Sequence, residues 1–176
     1  MGSATNAKHV AFSNQKGGVG KTMCAINVAG ALNQRGHDVL FVDVDPQGNA
    51  TEGLGLADEY ERNEPNLRTV LVAQEADLRD IIVEHPEMDL VPSNLDMFHG
   101  EAELVSQMQG RLRLERAIRP VEDEYDYIIY DAPPSLLVLT DSALLAAGNV
   151  VIPALAESTS SPESISRPAS LSSSSL

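Results

Sequence analysis

Lys16-Gly17-Gly18-Val19-Gly20-Lys21-Thr22 is the stretch on which the reading of this sequence turns. Three glycines in four positions free the backbone to turn its N–H groups inward around an anion. Lys21 follows at the spacing from which an ammonium reaches the terminal phosphates, and Thr22 offers a hydroxyl to a phosphate-bound magnesium ion. The chain has only three lysines, Lys8, Lys16 and Lys21, against 26 acidic residues, and two of the three lie in this loop. The stretch predicts a loop that binds a nucleoside triphosphate.

The flanks agree. Val10-Ala11-Phe12-Ser13 is a short apolar run before the loop, and Cys24 to Ala29 starts a helical pattern after it. Strand, glycine loop and helix N-terminus is the order that turns free N–H groups and the helix dipole toward an anion. The competing reading, a flexible glycine turn, does not account for the strand, the helix and the hydroxyl together. The loop departs from the standard phosphate-loop pattern, which would place glycine at Gln15, and it adds Lys16.

A length of 176 residues suits one domain with a sizeable core. No apolar run is long enough to span a bilayer, and Met1 to Ala7 has no apolar centre, so the chain reads as soluble and without a signal peptide. Cys24 is a lone cysteine, which points to a reducing cytoplasm, and its place on the first helix predicts a small buried side chain. The net charge of −14 predicts a surface suited to a high-salt cytoplasm, with acidic drift as the alternative, and shows no broad basic face.

Beyond the loop, strand and helix signals alternate. The first helix should end near Arg35-Gly36, and Val39 to Asp45 reads as a buried strand ending in carboxylates. Residues 46–66 read as loop and short helix, Leu67 to Val83 as helical, and Asp89-Leu90-Val91 as a short strand. Glu101 to Arg119 reads as one long helix with acids first and arginines last, matching the helix dipole. Its arginines spread round the helix, which predicts a solvated surface rather than a stripe that tracks phosphates. Tyr125 to Tyr130 is a strand ending at Asp131, and Asn149 to Leu155 is the last, apolar throughout and needing cover on both faces. The alternation predicts an α/β fold with a doubly wound, mainly parallel sheet flanked by helices. Ligands of such sheets sit at the carboxyl ends of strands, where Asp45 and Asp131 fall. Asp131 would position magnesium, commonly through water, and Asp45 would orient the attacking water. Asp43, earlier on the same strand, would support Asp45 and the magnesium waters. Strand-end turn residues are the bland alternative for each aspartate.

Three ordered motifs carry a resemblance. Asn14 to Thr22, Val42-Asp43-Val44-Asp45-Pro46-Gln47-Gly48-Asn49-Ala50-Thr51, and Tyr130-Asp131-Ala132-Pro133-Pro134-Ser135 resemble the ParA/MinD partitioning ATPases with the deviant Walker A loop. The match is nearest the ParA/Soj branch and runs from about Lys8 to Thr159. The resemblance implies a P-loop NTPase fold and a magnesium-dependent ATPase of chromosome or plasmid segregation. Lys16, Gly17, Gly18, Val19, Gly20, Lys21, Thr22 and Met23 would bind ATP. Lys16 would be the signature lysine that reaches the partner's nucleotide in an ATP-sandwich homodimer, and Lys21 would hold the phosphates. Thr22, Asp131 and Asp43 would serve Mg2+, Asp45 the hydrolytic water. Residues 46–51 would be the first switch and Ala132 to Ser135 the second. The implied partners are a centromere-binding, ParB-like protein and non-specific DNA. The implied location is the cytoplasm, on the nucleoid, with no membrane.

Two positions depart from that family: Met23 where a second threonine is common, and Leu137 where glycine is common, which would stiffen the second switch. Residues 157–176 hold ten serines and two prolines with no helical period, which predicts a disordered tail on a truncated domain of residues 8–156, preceded by a disordered arm of residues 1–7. A fragment that binds nucleotide or dimerises without turnover is the contrasting expectation. Branches that need a membrane-seeking C-terminal helix or paired cysteines fit less well.

Overall fold

The computed structural model describes residues 7–61 and 64–155. The expected serine-rich tail and all of the expected N-terminal arm except Ala7 lie outside them. Ala7 is buried in the core.

Five strands form one sheet in the order β3-β2-β4-β1-β5. They are β1 (Lys8–Phe12), β2 (Val39–Asp43), β3 (Asp89–Val91), β4 (Tyr127–Asp131) and β5 (Val150–Val151). Every pairing between these five strands is parallel, as the alternation of strand and helix requires, and Val83 adds one isolated antiparallel bridge to Leu90. β2 is buried along its whole length and reads as an unbroken apolar run up to its carboxylate. The helices are α1 (Lys21–Asn33), α2 (Asn49–Gly53), α3 (Ala57–Tyr60), α4 (Asp96–Ser106), α5 (Arg113–Ile118) and α6 (Val138–Ala147).

Alternate residues of the strands feed two apolar layers. Phe12, Phe41, Leu90 and Ile129 meet Ala25 and Ala29 of α1 on one face. Ala11, Leu40, Val42, Ile128 and Tyr130 meet Met97, Leu114, Ile118, Leu139 and Ala143 on the other. α1 buries the stripe Lys21, Ala25, Ala29 at spacing four and turns its other faces outward. Cys24 stands off that stripe and is exposed, against the expectation that it would be buried. The helix ends at Asn33, two to three residues before the expected end, and turns through Gly36 at φ +85°.

Two expected helices are not continuous. Between Leu67 and Val83 the chain forms a π-helical turn at Thr69–Ala73 and a 3-10 turn at Leu78–Asp80. Gln74 at φ +57° ends the first, and a reciprocal Asp77–Asp80 capping box starts the second. Glu101 to Arg119 is likewise broken. α4 begins earlier, at Asp96, and stops at Ser106, with Gln109 at φ +61° before a new start. The chain leaves the helix at Gln107, which is extended at φ −86°, ψ 138°, and folds back so closely that a Cβ on Gly110 would clash with the Leu104 carbonyl oxygen. Of the arginines after this turn, Arg111 pairs with Asp141 and Arg119 with Glu115 at the surface, Arg116 bonds the neutral Gln109, and Arg113 is half-buried. Such exposed ion pairs add little stability.

The last strand is shorter than Asn149 to Leu155, and Val150, Val151, Ile152 and Leu155 are all about half exposed or more. Side chains that should be covered here face solvent. We expect the chain to bind an apolar-surface dye, and Ile152→Ser with Leu155→Ser to lower that signal at least twofold while the thermal midpoint stays put. A wild-type signal at background would show the edge to be covered.

Candidate functional site

The carboxyl ends of β1, β4 and β2 lie side by side, with Phe12 opposite Asp131 and Asp131 opposite Asp43. Residues directly opposite in register point to the same face, so both carboxylates project toward α1 and the loop that precedes it. The phosphate loop spans the space between Phe12 and Lys21. Gly18 and Gly20 take φ +73° and +77°, a backbone that L side chains rarely adopt. A Cβ on Gly17, Gly18 or Gly20 would meet nothing within 4 Å. These glycines leave open a hollow that side chains would fill.

That hollow is a cavity of about 300 Å³ lined by Lys16 to Met23, Asp45, Asn49 and Pro134. All eight residues expected to bind nucleotide therefore border one space, together with the expected water-orienting carboxylate. Lys21 opens α1 with its N–H groups toward the hollow, so dipole and ammonium act on the same point. Its Nζ lies 2.5 Å from Asp131 Oδ1, and Thr22 donates to Asp131 Oδ2 at 2.6 Å. The two side chains suited to phosphate and metal thus share one buried carboxylate. Burial raises the proton affinity of Asp131, and the Lys21 ammonium and the Thr22 hydroxyl oppose that rise.

Asp43 is differently placed. Its Oδ1 accepts the Asp45 N–H at 3.2 Å, and its Oδ2 accepts both the N–H and the hydroxyl of Thr51, at 2.9 and 2.8 Å. Both oxygens are engaged by the chain that follows β2, so this carboxylate holds the 45–51 turn. Asp45, 5% exposed, accepts the Gln47 N–H at 3.0 Å and turns toward the cavity. Burial and then the neighbouring Asp131 charge push Asp43 up to about 7, against the pull of Thr51. A carboxylate raised from 3.8 to about 7 holds an extra proton in the native state between those values. Its stabilisation is complete below the lower value and is lost as pH rises through the upper one. Without nucleotide, stability should fall between pH 4.5 and 7.5, and Asp43→Asn should flatten the slope by up to about 1.4 kcal/mol per pH unit. Equal slopes in denaturant titrations of the two proteins would contradict this.

Asn14 positions the loop in a way its motif did not announce. Its Oδ1 accepts the Lys16 N–H at 2.8 Å, and its Nδ2 donates to the Pro153 carbonyl at 2.6 Å. An asparagine two residues before the turn is the signal that marks such a role. Pro134 and Asn49 bring the two expected switch segments to the same rim. Leu137 takes extended backbone at φ −103°, ψ −175°, so this position makes no demand for glycine. Met23 is exposed at the cavity edge.

The donor set suits a magnesium nucleotide. Among the described residues, no group of three or more His, Cys, Asp or Glu side chains is placed to hold a metal ion. Magnesium at phosphate sites takes one or two protein oxygens, with phosphate and water supplying the rest. Thr22 Oγ and Asp131, at the end of an open glycine cradle, are such a pair.

Known proteins resemble this chain in sequence and in fold. The family model described as "AAA domain" matches residues 7–165. Sporulation initiation inhibitor protein Soj of Bacillus subtilis is 46% identical over 154 residues, covering 85% of this chain and 59% of that protein. Chromosome partitioning protein ParA of Myxococcus xanthus is 44% identical over 159 residues, covering 86% and 53%. Cobyrinic acid a,c-diamide synthase from Mycobacterium smegmatis, with bound ATP analogue and magnesium, superposes at TM-score 0.79 and 35% identity, over 84% of this chain and 60% of that one. The chain spans about half the length of the curated relatives it matches.

Proposed function

The chain belongs to the AAA domain family, with the ParA/MinD type of phosphate loop, and from that premise we propose that it binds ATP with Mg2+ and hydrolyses the γ-phosphate as a partitioning ATPase. The observation that carries this reading is convergence. Three motifs far apart in sequence put Lys16 to Met23, Asp45 and Pro134 around one cavity, with Asp131 fixed to Lys21 and Thr22 behind it. Lys21, held by Asp131 here, would meet the terminal phosphates, and Thr22 and, through water, Asp131 would hold the metal. Bound Mg2+ neutralises charge on the phosphate oxygens and aligns them. Asp45 orients the attacking water, and Asp43 fixes the backbone on which Asp45 stands. Lys16, exposed at the cavity mouth, is suited to contact the nucleotide of a second copy in an ATP-dependent homodimer.

The unit we propose for this is residues 8–156, with Ala7 packed into its core. A ParB-like centromere-binding partner and non-specific DNA are the macromolecules we propose, supported by the partitioning names of the relatives. Arg111 and Arg119, after α4, are engaged with Asp141 and Glu115. No helix among them is long and apolar enough to cross a membrane, and we place the protein in the cytoplasm, on the nucleoid. The test is phosphate release from Mg·ATP, read beside size-exclusion chromatography with and without ATP at high salt, where a charge of −14 is screened. Turnover with an ATP-dependent dimer supports the proposal. A saturable nucleotide complex without any turnover would favour the binding fragment instead.

A further inference from the structure

The 46–51 turn is held from two sides by residues that the three motifs leave without a role in the chemistry. Thr51 is fully buried on α2. Its hydroxyl donates to Asp43 Oδ2 at 2.8 Å and accepts the Ser93 N–H at 3.1 Å, and its own N–H donates to the same Asp43 oxygen at 2.9 Å. One side chain therefore ties β2, α2 and the segment after β3 at a single point. The other oxygen of Asp43 accepts the Asp45 N–H. From above, the Tyr60 ring lies against Gly48, where an added Cβ would come 2.3 Å from Tyr60 Cδ2, and the Ser93 carbonyl would stand 3.4 Å from that Cβ. Gly48 takes φ +60° and donates to the Asp45 carbonyl at 2.8 Å. Both clamps act on the two peptide groups that orient Asp45.

We propose that Thr51 is a positioning residue for hydrolysis, fixing Asp45 through Asp43 and Ser93, with Tyr60 closing the same turn over Gly48. The inference rests on the ATPase reading given above. Thr51 does not line the nucleotide cavity, so its loss should leave ATP affinity alone. Removing the hydroxyl leaves the buried Ser93 N–H unpaired and takes one of two donors from Asp43 Oδ2, which frees the turn. A carboxylate misplaced by about 1 Å costs on the order of 100-fold in rate.

The experiment measures ATP affinity, single-turnover hydrolysis and thermal midpoint for wild type, Thr51→Val and Thr51→Ser. Valine keeps the shape and loses the hydroxyl, and serine keeps the hydroxyl. We expect Thr51→Val to hydrolyse at least tenfold more slowly with Kd within threefold of wild type, and Thr51→Ser to return to within threefold in rate. An unchanged rate in Thr51→Val, or equal losses of affinity and rate, overturns the proposal. If Thr51→Val does not fold, Tyr60→Ala reads the same turn from a partly exposed side chain. A slow rate at retained affinity supports the clamp, and a wild-type rate overturns it. A wild-type chain that neither binds nor hydrolyses ATP refutes the underlying reading, an outcome distinct from all of these.

Discussion

Lys21→Ala should lower ATP affinity at least 100-fold, whereas Lys16→Ala should bind ATP within threefold of wild type and lose ATP-driven dimerisation and turnover. Lys21 is 8% exposed at the start of α1 and is the lysine whose ammonium stands inside the site, 2.5 Å from Asp131. Truncating it removes the buried charge that meets the terminal phosphates, and leaves only backbone N–H groups, the Thr22 hydroxyl and the exposed Lys16 around the cavity. The substitution also strips a buried carboxylate of its counter-ion, a change that costs about 3–5 kcal/mol in comparable pairs. Asp131 relieves part of that by taking up a proton, since burial already raises its affinity for one. Folding must therefore be read alongside binding, and Lys21→Met gives a bulkier, uncharged control. Lys16 lies exposed on the outer side of the same loop. Isothermal titration with Mg·ATP checks both variants. Equal affinity in Lys16→Ala and Lys21→Ala would remove the phosphate role from Lys21.

Asp45→Ala should retain ATP and accumulate as a dimer, with turnover reduced about 10²- to 10⁴-fold, the range expected for loss of a positioned base. Asp45 borders the cavity and makes no contact with Lys21 or Thr22 among those described, so the phosphate and metal groups stay in place. The Gln47 N–H loses its acceptor, a cost confined to the turn. Size-exclusion chromatography with ATP, read with phosphate release, checks the pair of effects. Wild-type turnover in this variant would take the water-orienting role from Asp45.

The parts of the fold that sequence reading captured are those where chemistry and period coincide. A glycine loop between an apolar run and a helical run has one arrangement in a parallel sheet, and the carboxylates at 43, 45 and 131 fall at its carboxyl end. The parts it did not capture are those where tertiary packing overrides period. Gly110 is pressed against the Leu104 carbonyl, and no helical spacing in residues 101–119 carries that information. In α6, buried Val138, Leu139, Ala143 and Ala147 share the helix with solvent-facing Leu145, so apolar residues run round it and periodicity gives no clear face. Thr51 shows the same limit at the site. A threonine at the end of a switch motif looks like a turn residue until its hydroxyl is seen between Asp43 and Ser93.

Everything proposed for this chain turns on the cavity of Lys16 to Met23 being an ATP site that carries out hydrolysis through Asp45. Phosphate release from Mg·ATP at high salt, run side by side on wild type, Lys21→Ala and Asp45→Ala with bound nucleotide measured in each, tests it most directly. Wild type should turn over with one nucleotide per chain, Asp45→Ala should hold nucleotide without turnover, and Lys21→Ala should do neither. Turnover that survives Lys21→Ala, or nucleotide bound equally by all three chains, would contradict it.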